Sequence, residues 1–140
     1  MIQVLDASVA LKWVLPESDS SKAILVREEF AKGIRELIAP DIFSVEVAHT
    51  LAKAERRGLI LPGEGATKFA DVLQFVPDLH SYLPLLPRAF DIASAARIGV
   101  YDCLYVALAE REGLDLITAD QRLMNALGAK MKFIIALSSL

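Results

Sequence analysis

The chain has 140 residues, of which 54% are hydrophobic and 24% charged, and this balance predicts a single compact domain over residues 1–140. Its 15 Lys and Arg against 18 Asp and Glu give a formal net charge of −3, so the whole molecule lacks the basic field of a nonspecific nucleic-acid binder. Any contact with nucleic acid must therefore use a local basic patch.

The cysteine count and the hydropathy of the chain indicate the cellular compartment in which the protein is expected. Cys103 is the only cysteine, so it has no partner for an intramolecular disulfide or for a thiolate zinc site, which favours a reducing cytoplasm. The apolar start of the chain contains Asp6 and Lys12 and has no basic stretch before it, unlike a signal peptide. No apolar run approaches the length of a membrane span. We therefore expect a soluble cytoplasmic protein with no membrane segment.

Apolar spacing, turn residues and helix stop signals predict strands that alternate with helices. In chain order they are a strand at Met1–Leu5, helices at Ala7–Leu15 and Ser20–Lys32, a strand at Arg35–Ala39, helices at Asp41–Arg57 and Gly63–Phe75, a strand at Ser81–Leu85, helices at Pro87–Ile98 and Asp102–Glu112, a strand at Leu114–Thr118, a helix at Gln121–Leu127 and a strand at Met131–Leu137. Because parallel neighbours need long crossover connections, this order predicts an α/β fold with a central parallel sheet flanked by helices.

Four acids occupy equivalent places in this layout. Asp6 ends the first strand, Glu46 lies early in the helix after the second, Asp102 opens a helix and Asp120 follows the fourth strand. The carboxyl ends of parallel strands meet at one edge of a sheet, so these carboxylates should cluster there. Such a cluster repels itself unless a cation neutralises it, and Mg²⁺ or Mn²⁺ prefers oxygen ligands. The chemistry implied is metal-assisted phosphodiester hydrolysis.

Each acid also has a structural alternative. Asp102 and Asp120 could be helix N-caps, and Glu46 could be an exposed early-helix residue favoured by the helix dipole. Asp6 is harder to explain in this way, because it ends an apolar strand and its burial without a partner would be costly.

Four segments, in this order, resemble the motifs of PIN-domain ribonucleases of the VapC toxin type. They are VLDASVALKWVLPE at Val4–Glu17, APDIFSVEVAHTLAK at Ala39–Lys53, YDCLYVALAE at Tyr101–Glu110 and LITADQRLMNA at Leu116–Ala126. The resemblance covers nearly the whole chain, which makes it more specific than any single motif.

The resemblance implies a PIN-like three-layer fold, Mg²⁺- or Mn²⁺-dependent endoribonuclease activity, a homodimer and inhibition by a cognate VapB-like antitoxin. It assigns the metal site and the catalysis to Asp6, Glu46, Asp102 and Asp120. Ser8 and Thr118 match small hydroxyl positions that support the site in this family. Some relatives have a further acid near the fourth motif. Gln121 and Asn125 of this chain are neutral, so the number of bound metals, one or two, stays open.

Candidate RNA contacts come from basic residues near the acids. Lys53 and Arg57 lie seven and eleven residues after Glu46, on one stripe of the same helix. A solvated face is the simpler interpretation, and a path for RNA phosphates is the alternative. Lys12 and Arg122, close in sequence to the first and last acids, are further candidates for this patch.

The remaining polar and aromatic residues receive structural interpretations. His49 and His80 have no partner at metal-ligand spacing, so we expect surface or structural roles. For Trp13, Tyr101 and Tyr105 we favour core packing over stacking on bases.

Two rival functions stay open. One is an acidic-pocket phosphotransfer protein, such as a receiver domain or a phosphatase of the haloacid dehalogenase kind. Against it, the first strand ends in a single Asp, without the adjacent acidic pair or DxD arrangement of those sites. The other is a catalytically idle PIN-like binding module.

Overall fold

The computed structural model describes residues 1–140, which form five strands and seven helices. The strands are β1 Ile2–Leu5, β2 Glu36–Pro40, β3 Asp78–His80, β4 Leu116–Thr118 and β5 Ile134–Ala136. The helices are α1 Ala7–Leu11, α2 Ser20–Ala31, α3 Phe43–Arg56, α4 Glu64–Leu73, α5 Leu86–Ala96, α6 Val100–Glu112 and α7 Gln121–Leu127. Two 3₁₀ turns, at Leu83–Leu85 and Leu137–Ser139, complete the secondary structure.

All five strands form one parallel sheet in the order β3-β2-β1-β4-β5. In the central strand, Val4 is in register with Ile38 of β2 and with Leu116 of β4. From β1 the chain builds the sheet first toward β3 and later, on the other side, toward β5. The switch point therefore lies between β1 and β4, where a crevice opens at the carboxyl ends of parallel strands. The predicted α/β class with a central parallel sheet flanked by helices is confirmed.

Helix α6 lies in the core and fixes the position of its own amino end. Its residues Cys103–Ala109 are all buried, as expected for a helix that is apolar on every side, and it contacts β1, β2, β4 and α5.

Taken singly, no helix is long and apolar enough to cross a membrane. Only the two segments Leu83–Ala96 and Val100–Glu112 together reach that length and hydropathy, with a bend of 120° between them.

The third strand was predicted in the wrong place. It is Asp78–His80, directly after Pro77, and it pairs only with β2 at one edge of the sheet. The predicted strand Ser81–Leu85 instead contains a 3₁₀ turn with Pro84, which has no N–H to donate to a strand partner.

The first helix is shorter than predicted. It ends at Leu11, and the chain continues to Val14 in tight turns, with Trp13 N–H donating to Ala10 O at 3.0 Å. These turns direct the Trp13 ring into the core, where its Nε1–H donates to Ala23 O at 2.9 Å. The helical spacing of apolar residues therefore predicted correctly that this segment has a buried face. It did not predict that the α-helix gives way to tight turns after Leu11. The fifth strand is likewise shorter than predicted, Ile134–Ala136 instead of Met131–Leu137.

Candidate active site

Asp6 lies at the switch point, where two hydroxyl groups hold it. Its side chain is buried, and Oδ2 accepts hydrogen bonds from Ser8 Oγ and Thr118 Oγ1, each at 2.7 Å. Each hydroxyl in turn accepts a backbone N–H, Ser8 from Ala119 at 2.9 Å and Thr118 from Asp120 at 3.0 Å. The carboxylate is thus fixed at the ends of both β1 and β4. Ser8 and Thr118, predicted as supporting residues, both contact it.

The environment of Asp6 opposes its ionisation. Burial raises the pKa of Asp6 most, the hydroxyls of Ser8 and Thr118 lower it, and the neighbouring Asp120 raises it. Both side-chain hydrogen bonds go to Oδ2, so Oδ1 carries none. One oxygen is therefore used for positioning while the other stays free of side-chain donors.

Asp102 lies in the first turn of α6 and caps nothing. The helix begins at Val100 with Gly99 as N-cap, two residues earlier than predicted, and no side chain caps it. Burial raises the pKa of Asp102 to about 6, with the charges of Asp6 and Asp120 adding to the rise and Arg122 opposing it. The capping alternative is thereby wrong for Asp102, and its carboxylate faces other acids.

Asp120 is the N-cap of α7. Its Oδ1 accepts the backbone N–H groups of Arg122 at 2.9 Å and Leu123 at 3.4 Å. The structural alternative for this acid is thus realised, yet the side chain is also close enough to Asp6 and Asp102 to raise the pKa of both. Asp120 has a capping role and a place in the acid cluster at once.

Glu46 lies in the first turn of α3, beside the ring of Tyr105. Burial raises the pKa of Glu46 to about 7; the Tyr105 hydroxyl lowers it, and the charges of Asp6 and Asp102 raise it. Glu46 Oε1 and the Tyr105 hydroxyl are both buried, and neither has a partner at hydrogen-bonding geometry. Burial and the Glu46 carboxylate raise the pKa of Tyr105 well above its ordinary value. This acid is therefore not the exposed early-helix residue of the structural alternative.

The four acids form one electrostatic cluster without a complete set of metal ligands. Asp6 interacts electrostatically with the other three, and Asp102 also interacts with Glu46 and Asp120. No three Asp, Glu, His or Cys side chains in the structure converge at the spacing of ligands to a common ion. The donors are nonetheless all oxygen, they repel one another, and one of them is a buried oxygen without a partner. These properties suit a hard divalent cation.

The basic residues proposed to contact RNA differ in whether their charges are already paired with a carboxylate. Lys12 Nζ donates to Glu17 Oε2 at 3.1 Å and to Ser18 O at 2.9 Å, so its charge is already partnered. Arg122 is exposed and close enough to lower the pKa of Asp102. Half-buried Lys53 of α3 and exposed Arg57, the C-cap of that helix, form no ion pair.

The aromatic residues separate into core and surface. Trp13 and Tyr105 are buried as predicted, but the core prediction for Tyr101 is wrong, since 60% of this residue is exposed. The reason is that Tyr101 lies in the first turn of α6, before the helix enters the core at Cys103. The contact of Tyr105 with Glu46 was not foreseen; its signal was the spacing of three residues from Asp102, which places both on one helix face.

Comparison with known proteins identifies the family and supports the fold. Residues 4–128 match the family model described as PIN domain. Ribonuclease VapC3 of Pyrobaculum aerophilum is 37% identical over 122 residues, which cover 86% of this chain and 90% of that protein. Among solved structures, PAE2754 from Pyrobaculum aerophilum superposes with a TM-score of 0.69 at 24% identity, over 99% of this chain and 94% of that chain.

A second solved structure, VapBC2 from Rickettsia felis bound to a DNA fragment from their promoter, gives a TM-score of 0.64 at 14% identity, over 97% of each chain. At such identities the two structures support the fold, while the family rests on the match of residues 4–128 and on the 37% identical relative. The chain therefore belongs to the PIN domain family, as one of its VapC-type members.

Proposed function

We propose that this protein is a divalent-metal-dependent endoribonuclease that cleaves RNA phosphodiester bonds, and that it is the toxin of a toxin–antitoxin pair. The observation that carries the proposal is the cluster of Asp6, Glu46, Asp102 and Asp120 at the switch point of the sheet, where burial and mutual repulsion raise the pKa of the first three. The name of the 37% identical relative, a ribonuclease, supports RNA as the substrate.

The same four acids would hold the metal, Mg²⁺ or Mn²⁺. When bound, the ion would supply a water of lowered pKa and stabilise charge on the phosphate oxygens. The chain's own residues do the positioning: Ser8 and Thr118 fix one oxygen of Asp6, and the α7 cap fixes one oxygen of Asp120. The remaining oxygens of these two acids are free of side-chain donors.

RNA contacts and protein partners belong to the same proposal. Lys53, Arg57 and Arg122 have no ion-pair partner and would contact phosphates, whereas Lys12 would need to leave Glu17 to do so. We further propose a VapB-like antitoxin as the inhibitor, a homodimer as the assembly, a single domain over residues 1–140 and the cytoplasm as the compartment. The VapBC2 complex of Rickettsia felis, which shares the fold, supports the antitoxin as partner.

The decisive experiment is cleavage of single-stranded RNA by purified protein with Mg²⁺, with Mn²⁺ and with excess EDTA. We expect cleavage with either metal, none with EDTA, and none from Asp6→Asn. Asp115→Asn is the matched control, because Asp115 is an exposed acid at the amino end of β4, the edge opposite the cluster. Undiminished cleavage in EDTA would rule out the metal, and RNA binding without cleavage in either metal would favour an idle binding module.

A further inference from the structure

A hollow of about 380 Å³ opens directly beside Glu46. It is lined by Val45, Glu46, His49, Thr50 and Tyr101. A second hollow of about 300 Å³ shares Val45, Glu46 and Tyr101 with the first, so the two adjoin along these residues. Both volumes fall in the roughly 300–1,000 Å³ range of small-molecule pockets. The acid cluster therefore has a ready-made space next to it that its own chemistry does not use.

Tyr101 supplies this space with an exposed aromatic ring. The residue is 60% exposed, although its backbone belongs to α6, whose residues from Cys103 to Ala109 are all buried. Tyr101 immediately precedes Asp102 in the chain, so the aromatic residue is the sequence neighbour of an acid of the cluster. A planar ring held on a rigid helix, but not packed in the core, is suited to stacking on a flat ligand.

The rest of the lining comes from α3, which contributes the apolar Val45 and three polar side chains. His49 and Thr50 follow Glu46 by three and four residues, so they lie one helical turn beyond the acid on the same stripe. Their side chains provide both donors and acceptors. Lys53 follows one turn later and forms no ion pair. Along α3 an acid, two polar side chains and a cation therefore succeed one another.

This succession is complementary to a nucleic-acid strand, in which two consecutive phosphates are joined by a ribose that carries one base. We propose that the hollow is a nucleobase subsite, in which Tyr101 stacks on the base next to the scissile phosphate and His49 and Thr50 contact its edge. The inference rests on the proposed ribonuclease function and adds to it the origin of sequence preference. Single-stranded RNA fits because its bases are free to leave the stack and lie on aromatic side chains.

Binding to a noncleaving protein tests the subsite. In the Asp6→Asn background, Tyr101→Ala should weaken binding of a short RNA roughly 5- to 150-fold, the usual loss for one base–aromatic stack, while Tyr101→Phe should bind normally. Phe90→Ala is the matched control, since Phe90 is 66% exposed and lines neither hollow. Fluorescence anisotropy measures each affinity, and thermal melts confirm that each variant is folded.

A scan with RNAs that each carry one abasic position completes the test. One position should abolish the difference between wild type and Tyr101→Ala, because the base that the ring holds is then missing. His49→Ala should reduce the preference among bases at that same position.

Equal weakening of intact RNA and of every abasic RNA would overturn the subsite. A Tyr101→Ala protein that no longer forms a dimer, yet discriminates among bases as the wild type does, would also overturn it. Because the readout is binding, it is independent of the proposed nuclease: cleavage without any dependence on Tyr101 removes only the subsite, and base-selective binding without metal-dependent cleavage removes only the nuclease.

Discussion

The hydroxyl of Tyr105 is close enough to the Glu46 carboxylate to lower the pKa of Glu46, yet this hydroxyl and Glu46 Oε1 are both buried without a formed hydrogen bond. Tyr105 is itself fully buried in α6, one turn after Asp102, so its ring cannot move away from the acid without disturbing the core. Unpaired buried polar atoms cost free energy, and a cation bound at Glu46 would relieve this cost at the carboxylate. The tyrosine is therefore placed to orient the acid rather than to react.

Tyr105→Phe tests this orientation. Removal of an unpaired hydroxyl should change the free energy of unfolding of the metal-free protein by less than about 1 kcal/mol. The affinity for Mn²⁺ should nonetheless fall by roughly tenfold, as is common when a residue that positions a metal ligand is lost. Calorimetric titration with Mn²⁺ measures the affinity, and Tyr101→Phe, which removes a surface hydroxyl, serves as control. An unchanged Mn²⁺ affinity would make Tyr105 a core residue only.

The stability of the metal-free protein should fall as the pH rises from about 4 to 8. Burial raises the pKa of Glu46 to about 7 and that of Asp102 to about 6, so the folded state binds these protons more tightly than the unfolded state does. The stabilising protons are present at low pH and are lost as the pH rises through these values. After allowance for solvent screening, the decrease should total about 2–4 kcal/mol.

Urea denaturation in EDTA at a series of pH values measures this decrease. Glu46→Gln, which cannot ionise, should flatten a large part of the curve. A stability that is constant or increases between pH 5 and 8 would contradict the raised pKa values.

Asp102→Asn should separate charge from shape. It removes one repelling carboxylate and no helix cap, so the metal-free variant should be as stable as the wild type or more stable. A bound cation stabilises the wild type in proportion to its affinity, and the variant should lose most of this gain. Thermal melts with EDTA and with saturating Mn²⁺ give both numbers. If the variant responds to Mn²⁺ as fully as the wild type, Asp102 is not a ligand.

At Asp120 the cap and the charge can be tested independently. Asp120→Ala should cost about 1 kcal/mol through the lost cap of α7, whereas Asp120→Asn keeps the cap and should not be destabilised without metal. Both substitutions should weaken Mn²⁺ binding. Denaturation and metal titration of the pair decide the matter, and Mn²⁺ affinity retained in both variants would leave Asp120 with the capping role alone.

The double variant Lys53→Ala and Arg57→Ala tests the basic stripe. A rise of about 1.5 Å per residue puts the two residues roughly 10 and 16 Å beyond Glu46 along α3. If both contact phosphates, the slope of log affinity for single-stranded RNA against log salt should flatten by about 1.4. Asp6→Asn provides the noncleaving background. Lys130→Ala with Lys132→Ala is the charge-matched control, because these exposed lysines precede β5, at the opposite edge of the sheet. A slope equal to that of the control would show that Lys53 and Arg57 belong to a solvated face and do not contact RNA phosphates.

The sequence predicted most strongly those elements whose pattern reflects burial. Strands β1, β2 and β4 are apolar runs in the middle of the sheet, and their places follow from hydrophobicity alone. Strand β3 gives no such signal, because Asp78 and Leu79 are exposed and the strand pairs on one side only. An edge strand of three residues is defined by its backbone partner rather than by its side chains.

One part of the candidate site could likewise be predicted from the sequence, and another part could not. The meeting of the acids follows from topology, since strand ends share an edge. The cap at Asp120 and the solvent exposure of Tyr101 depend on where each helix begins, to within one or two residues. The burial of Glu46 Oε1 against Tyr105 depends on the approach of α3 to α6, which no local pattern encodes.

The contact between Asp6 and Thr118 joins residues 112 positions apart. A nascent chain that has not yet reached β4 thus has the first acid but neither Thr118 to hold it nor Asp120 beside it. Parallel pairing between such distant strands forms late, because the intervening chain must first be made and ordered. A ribosome that translates this protein therefore carries no assembled acid cluster until most of the chain has left it, so prematurely terminated products would be inert toward RNA.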